Sequence, residues 1–176
     1  MSGRIVIAYW LIPIEPARGF FQDIVDNLAS RHHAPVFEPH VTVHVGADRV
    51  DTAEKTLSKA ARECQRIKLK PLGIGHSDDF IKTLFVQFAV SAKLRRLNET
   101  IRKAAQDSSR YELKPHLSLL YKTMPALARR ELANSINVPF AEVTFDGLKA
   151  VRCVSPTQSR ANVEAWQVVA TKELSE

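Results

Sequence analysis

One short phrase occurs twice in this chain and constrains its fold more than any other feature. Pro39-His40-Val41-Thr42-Val43 returns 76 positions later as Pro115-His116-Leu117-Ser118-Leu119. Side chains alternate between the faces of a strand, so each copy turns its His and its hydroxyl to one side and its apolar residues to the other. Proline cannot donate to a sheet ladder, which puts each His at the beginning of a strand. A fold that serves both copies brings two strand beginnings, one from each half, to a shared rim. Two imidazoles and two hydroxyls then face one cleft. That set suits in-line chemistry at phosphorus, with one His taking a proton, the other giving one and the hydroxyls holding the non-bridging oxygens. An imidazole with an ordinary pKa of about 6.5 can serve in either protonation state.

The rest of the chain supplies the frame for that cleft. Apolar periodicity and turn residues predict strands over 4–11, 36–45, 67–74, 80–90, 116–121, 141–154 and 162–172. Helices are expected over 16–31, from Asp51 or Thr52 to 64, from Ser91 to 107, and over 125–136. The strands alternate polarity as half-exposed antiparallel strands do, which favours α+β over a doubly wound parallel sheet. No linker or low-complexity stretch divides the chain, so 1–176 are expected to form a single domain containing the duplication.

Composition narrows the partners. Hydrophobic residues make up 45% and charged residues 25%, values of a globular chain. The longest apolar run, 5–14, is shorter than the roughly 20 residues of a membrane span and contains Pro13, so it reads as a strand and no membrane partner is expected. Cys64 and Cys153 form no Cys-x-x-Cys, which points to a cytoplasmic setting and packing roles. A net charge of +6 favours anionic ligands. The basic residues are dispersed, as at Arg95-Arg96, Arg129-Arg130 and Lys68 with Lys70, which fits small phosphorylated ligands better than long duplexes. Gly73 and Gly75 lack a Gly-Lys-Ser/Thr ending, and no Gly-x-Ser-x-Gly elbow occurs, so neither a Walker loop nor a serine hydrolase is indicated.

The tetrads His40 to Val43 and His116 to Leu119 resemble the signature of the two-histidine phosphoesterase superfamily. Trp10-Leu11-Ile12-Pro13 after a first strand, Phe37-Glu38-Pro39-His40-Val41-Thr42-Val43, Pro115 to Tyr121, and Trp166 within a terminal strand are similar to its plant-type cyclic phosphodiesterase branch. This resemblance implies a bilobal α+β fold, two pseudo-symmetric lobes each with an antiparallel sheet and outer helices, and an active site in the groove between them. It implies metal-independent hydrolysis, without cofactor, of nucleoside 2′,3′-cyclic phosphates to 2′-phosphates or of ADP-ribose 1″,2″-cyclic phosphate. By motif match His116 is the general base, His40 the general acid, and Thr42 and Ser118 hold the phosphate oxygens. The near-symmetry of the tetrads leaves an exchange of the two His roles open. A monomer with a small cyclic-phosphate nucleotide, or an RNA end, as partner is the matching expectation.

Three further residues extend the candidate site. Tyr121, five positions after His116, falls on the opposite face of an unbroken strand, and a bulge or strand end returns it to the groove. The resemblance makes it a phosphate or base contact and makes Trp10 a wall of the base pocket, while aromatic packing explains either residue equally well. His44 alternates onto the face of His40 and Thr42 and is expected at the groove edge, tuning the site. A metal reading would recruit His40, His44 and His116, but no carboxylate or cysteine stands at ligand spacing, so no metal is expected. Two rival functions remain. RNA-end processing or 2′-5′ RNA ligation needs a groove for a polynucleotide, and a non-catalytic nucleotide- or RNA-binding protein is expected only where a tetrad is broken.

Overall fold

The computed structural model describes residues 3–176. The N-terminal apolar run forms β1 (Arg4–Pro13), the spine of the sheet, with β2 (Val41–Ala47) and β7 (Val143–Ser155) antiparallel on its two sides. From one edge to the other the order is β3 (Ile67–Leu69), β7, β1, β2, β6 (His116–Leu120), β5 (Leu84–Phe88) and β4 (Pro71–His76). The last strand, β8 (Gln167–Glu173), pairs with β7 alongside β3. Every strand pair is antiparallel, as an α+β fold requires.

Helices α1 (Ala17–His32), α2 (Val50–Glu63) and α3 (Ala92–Ala104) cover one face, against β6, against β7 and β8, and against β2 respectively. The core lies beneath them and takes alternate residues of β1, Ile7, Tyr9 and Leu11, together with Phe21, Leu57, Leu97 and Leu117. Each fully buried large apolar side chain contributes about 1.5–3 kcal/mol. The other residues of β1, Ala8, Trp10 and Ile12, face the opposite side with Val151. Two short helices complete the chain, α4 (Ala126–Ser135) beside β4 and α5 (Arg160–Glu164) beside β7. No helix among the described residues is long and apolar enough to cross a membrane.

The two halves of the sheet meet at β2 and β6, which share the single register pair Val41 with Leu117. Past that pair the edge of β2 is satisfied by side chains in place of a strand. Tyr111 Oη donates to Thr42 O (3.3 Å), Asn98 Nδ2 to Val43 O (2.7 Å) and Ser109 Oγ to Val45 O (2.8 Å), while Asp107 Oδ2 accepts from Ala47 N (3.1 Å). The result is a groove over the β2–β6 seam.

Several boundaries differ from the sequence expectation for local reasons. Residues 67–74 form two strands at opposite edges of the sheet, β3 on β7 and β4 on β5, separated at Lys70. The register of β4 shifts between Pro71 and Gly73, whose φ of 142° suits glycine alone. Residues 80–82 form a 3-10 turn ahead of β5, held by Asp79 accepting from Ile81 N (3.4 Å) and Thr83 Oγ1 donating to Phe80 O (2.9 Å). Residues 160–164 are helical, because Ser159 caps Asn162 N (3.2 Å), so Trp166 stands between α5 and β8 and outside the terminal strand. The strand predicted from residue 36 begins only at Val41, and α2 starts behind Arg49 with no side-chain cap from Asp51 or Thr52. Ser91 does cap α3, accepting from Leu94 N (3.1 Å).

Candidate active site

The two copies of the phrase reach the groove with the same local geometry. His40 Nδ1 lies 2.7 Å from the carbonyl of Glu38, and His116 Nδ1 lies 2.8 Å from the carbonyl of Lys114. A carbonyl only accepts, so Nδ1 carries the proton in each ring and leaves Nε2 with the lone pair. The following proline restricts Glu38 and Lys114 to extended backbone, which presents those carbonyls in the same way. His40, Thr42, His116 and Ser118 line one cavity together with Trp10, Tyr121, Ile81, Val45, Cys153, Thr157 and Trp166.

Each tetrad strand also carries a bulge one residue after its hydroxyl. Trp10 pairs with Thr42 and Tyr9 with His44, leaving Val43 as the extra residue of β2. Phe85 pairs with Ser118 and Leu84 with Leu120, leaving Leu119 extra in β6. A bulge resets which face the later residues occupy. In β6 it puts Leu119 and Leu120 both in the core and brings Tyr121 back to the groove.

In β2 the same device overturns the expectation for His44. This residue is fully buried at 0% exposure on the helix side, bonded through Nε2 to Asp107 Oδ2 (3.1 Å), and Val45 takes the groove position instead. His44 therefore does not edge the groove and cannot join His40 and His116 around an ion. Among the described residues no cluster of three or more His, Cys, Asp or Glu is placed to hold a metal.

Aromatic rings set the walls. Trp10 stacks on His40 with centroids 3.6 Å apart and planes 11° apart, and Trp166 stands edge-on to both rings. Tyr121 stacks on Phe37 (3.8 Å). Phe85, across from Ser118 as Trp10 is across from Thr42, meets His116 edge-on at 5.6 Å. Sequence reasoning left out Ile81, Phe85, Val45, Cys153 and Thr157. Only Val45 has a sequence signal, as the repeat counterpart of Tyr121; Phe85 matches Trp10 through its pairing in the sheet alone. Cys153 lies in the groove wall, and burial pushes its thiol up to about 11, so it stays protonated.

Burial also sets the charge state of the imidazoles. His40, 7% exposed, is pulled by desolvation to about 3, with the Glu38 carbonyl opposing and with His116 and Lys149 adding to the fall. His116 is lowered by desolvation as well, with the Lys114 carbonyl opposing, Lys82 adding to the fall and Asp79 offsetting it. Both imidazoles are therefore neutral at neutral pH. A phosphate anion arriving between them restores their affinity for protons. Ser118 Oγ donates to Ile81 O (2.7 Å) and must turn to offer its proton elsewhere.

This arrangement predicts acid sensitivity. An imidazole that is lowered in the folded state binds its proton more readily when unfolded, so its contribution to stability is complete above pH 6.5 and is lost as pH falls below that, for His40 down to about 3. For His40 the loss is about 5 kcal/mol. Urea midpoints measured across that range in phosphate-free buffer should fall steadily on acidification, and added inorganic phosphate should restore part of the loss. Midpoints flat between pH 6.5 and 4 would contradict it.

Comparison with known proteins gives the chain its family and related folds. The family profile described as "Cyclic phosphodiesterase-like protein" matches residues 5–174. The cyclic phosphodiesterase of Arabidopsis thaliana is 24% identical over 174 residues, covering 97% of this chain and 96% of that protein. Among solved structures, apo LigT of Escherichia coli superposes with a TM-score of 0.60 at 14% identity, over 99% of this chain and 100% of the other. LigT complexed with 3′-AMP gives 0.59 at 14% identity over 100% of both chains. With paired tetrads facing one groove and a family match across nearly its whole length, this chain belongs to the cyclic phosphodiesterase-like family, the plant-type branch of the two-histidine phosphoesterases, and is a hydrolase of that type.

Proposed function

We propose that this protein hydrolyses nucleoside 2′,3′-cyclic phosphates to nucleoside 2′-phosphates without a metal ion. The observation that carries the reading is the matched anchoring of His40 and His116, each with Nδ1 on a carbonyl two residues upstream and both in one cavity with Thr42 and Ser118. In the proposed step His116 Nε2 takes a proton from water as the water oxygen bonds to phosphorus. The bond from phosphorus to O3′ breaks, and His40 gives its proton to O3′. Thr42 and Ser118, with Tyr121 beside Ser118, neutralise the charge that gathers on the non-bridging oxygens.

The stacked indole supports His40 as the acid, because a Trp face stabilises an imidazolium once phosphate has offset its burial. His116 meets only a ring edge. Trp10 and Trp166 leave apolar surface for a base to stack on, in keeping with the 3′-AMP bound by LigT. None of the described residues lining the cavity is Lys, Arg, Asp or Glu. That favours a substrate whose one charge is the reacting phosphate over ADP-ribose cyclic phosphate, whose pyrophosphate would need cations of its own.

Phosphorus NMR with chelator present tests the proposal. Cyclic mononucleotides should convert to 2′-phosphates at unchanged rate when chelator is added, ahead of ADP-ribose 1″,2″-cyclic phosphate and of an oligonucleotide ending in a cyclic phosphate. Turnover lost to chelator would end the metal-free mechanism, and preference for the oligonucleotide would move the protein to RNA-end processing.

A further inference from the structure

His40 and His116 share their anchoring geometry but not its support. His116 opens β6 and is held in the ladder opposite Gln87. His40 precedes β2, in a segment without strand or helix pairing, so the sheet does not fix the carbonyl that orients its ring. Side chains hold that segment instead. Gln22 Nε2 donates to Phe37 O (3.1 Å), and Lys149 Nζ donates to Glu38 Oε1 at 2.6 Å with a second, longer contact from Arg18 Nη2 at 3.4 Å. Lys149 lies on β7 directly across from Trp10, so the two side chains leave the sheet on one face. One grips the residue that anchors His40, and the other lies flat against the His40 ring. The ion pair is mostly sheltered, with side-chain exposures of 24% and 22%, which limits screening by water.

We propose that Lys149 and Glu38 form a positioning pair for the chemistry, a clamp between β7 and the loop before β2 that aims His40 Nε2 at the leaving oxygen. The inference rests on the proposed acid role of His40 and assigns two residues outside the tetrads to the same reaction. Neither residue touches the reacting atoms. Their effect passes through the Glu38 carbonyl, the acceptor of the Nδ1 proton. Breaking the clamp frees that carbonyl, and a small misalignment of a reacting group is costly in rate while leaving the binding surface intact.

The charged and titratable groups around His40 give the clamp a signature that simple loss of packing does not have. They are Lys149 from β7, His116 from β6, Glu38 from its own segment, and Arg18 from α1 acting through Glu38, with Tyr121 and Cys153 in the same cavity wall. Lys149 disfavours protonation of His40, so Lys149→Met should move the His40 titration to higher pH. Glu38→Gln leaves Lys149 uncompensated and should move it to lower pH. Both variants should lose kcat, by about 10–100-fold, with KM changed by less than about 2-fold. The double variant should be no worse than the poorer single one, because the two residues act as one unit. Lys149→Arg, which can keep the pair, should recover most of the lost rate.

The experiment combines turnover of a cyclic mononucleotide with nitrogen-15 NMR of the imidazoles in wild type, Lys149→Met and Glu38→Gln. Opposite shifts of the His40 titration, exchange broadening of its Nδ1 proton and an unmoved His116 would support the clamp. An unaltered His40 titration and Nδ1 signal in both variants, or full kcat in both, would overturn it. The NMR reading needs no turnover. A wild type that leaves every cyclic phosphate intact therefore refutes the proposed reaction separately, while the imidazole signals still decide whether the pair orients His40.

Discussion

Replacing His116 by Ala is expected to lower kcat on a 2′,3′-cyclic nucleotide by about 10²–10⁴-fold, and His40→Ala by a similar factor. Neither ring carries the sheet: the ladder of β6 is backbone, and His40 stands ahead of β2. The folded fraction should therefore stay near wild type, and His40→Ala should in addition blunt the acid sensitivity. The double variant should fall little below the poorer single one, because residues acting as a unit are not additive. The two roles separate on a catechol cyclic phosphate, whose phenolate leaves without a proton. His40→Ala should recover much of its activity there and His116→Ala none. Recovery by His116→Ala alone would reverse the assignment. The pH profile has a fixed sign as well. Both imidazoles are lowered in the free protein and raised by bound phosphate, so the bell of kcat should lie at higher pH than that of kcat/KM.

The repeated phrase made the groove legible because a strand has a period of two, and that period carries His40 with Thr42 and His116 with Ser118 to one face. It fails two residues later, at His44, where the bulge at Val43 breaks the alternation. The repeat itself held the correction. Position 44 corresponds to Leu120, a core residue, and position 45 to Tyr121, a groove residue, so an apolar counterpart sends His44 to the core. The carbonyls of Glu38 and Lys114 were not legible, since a backbone acceptor leaves no trace in residue type. The break at Lys70 was hidden for another reason. Residues 67–74 read as one strand, and it is pairing with β7 on one side and β5 on the other that divides them.

Asp107→Ala is expected to destabilise the fold by about 2–4 kcal/mol while sparing the chemistry. Its carboxylate accepts from His44 Nε2 (3.1 Å), Ala47 N (3.1 Å) and Ser109 N (2.9 Å), so one truncation strips three donors of their acceptor. Burial alone would raise the Asp107 carboxyl, but these bonds together with His44 hold it below its ordinary value. His44 has no second partner among the described residues, as its Nδ1 is buried and unbonded. The loss reaches further, because residues 107–111 tie down the edge of β2 that β6 does not pair. Gly46→Ala attacks the same joint from the other side. A Cβ there would collide with the Asp107 carboxylate and crowd His44 Nε2 at 3.2 Å. Both variants should lower the urea midpoint with an unchanged m-value. At a temperature where they stay folded, kcat should remain within a few-fold of wild type, since His44 and Asp107 lie behind the sheet and not in the groove. A kcat loss as large as that of His116→Ala, with the midpoint unmoved, would instead return His44 to the active site.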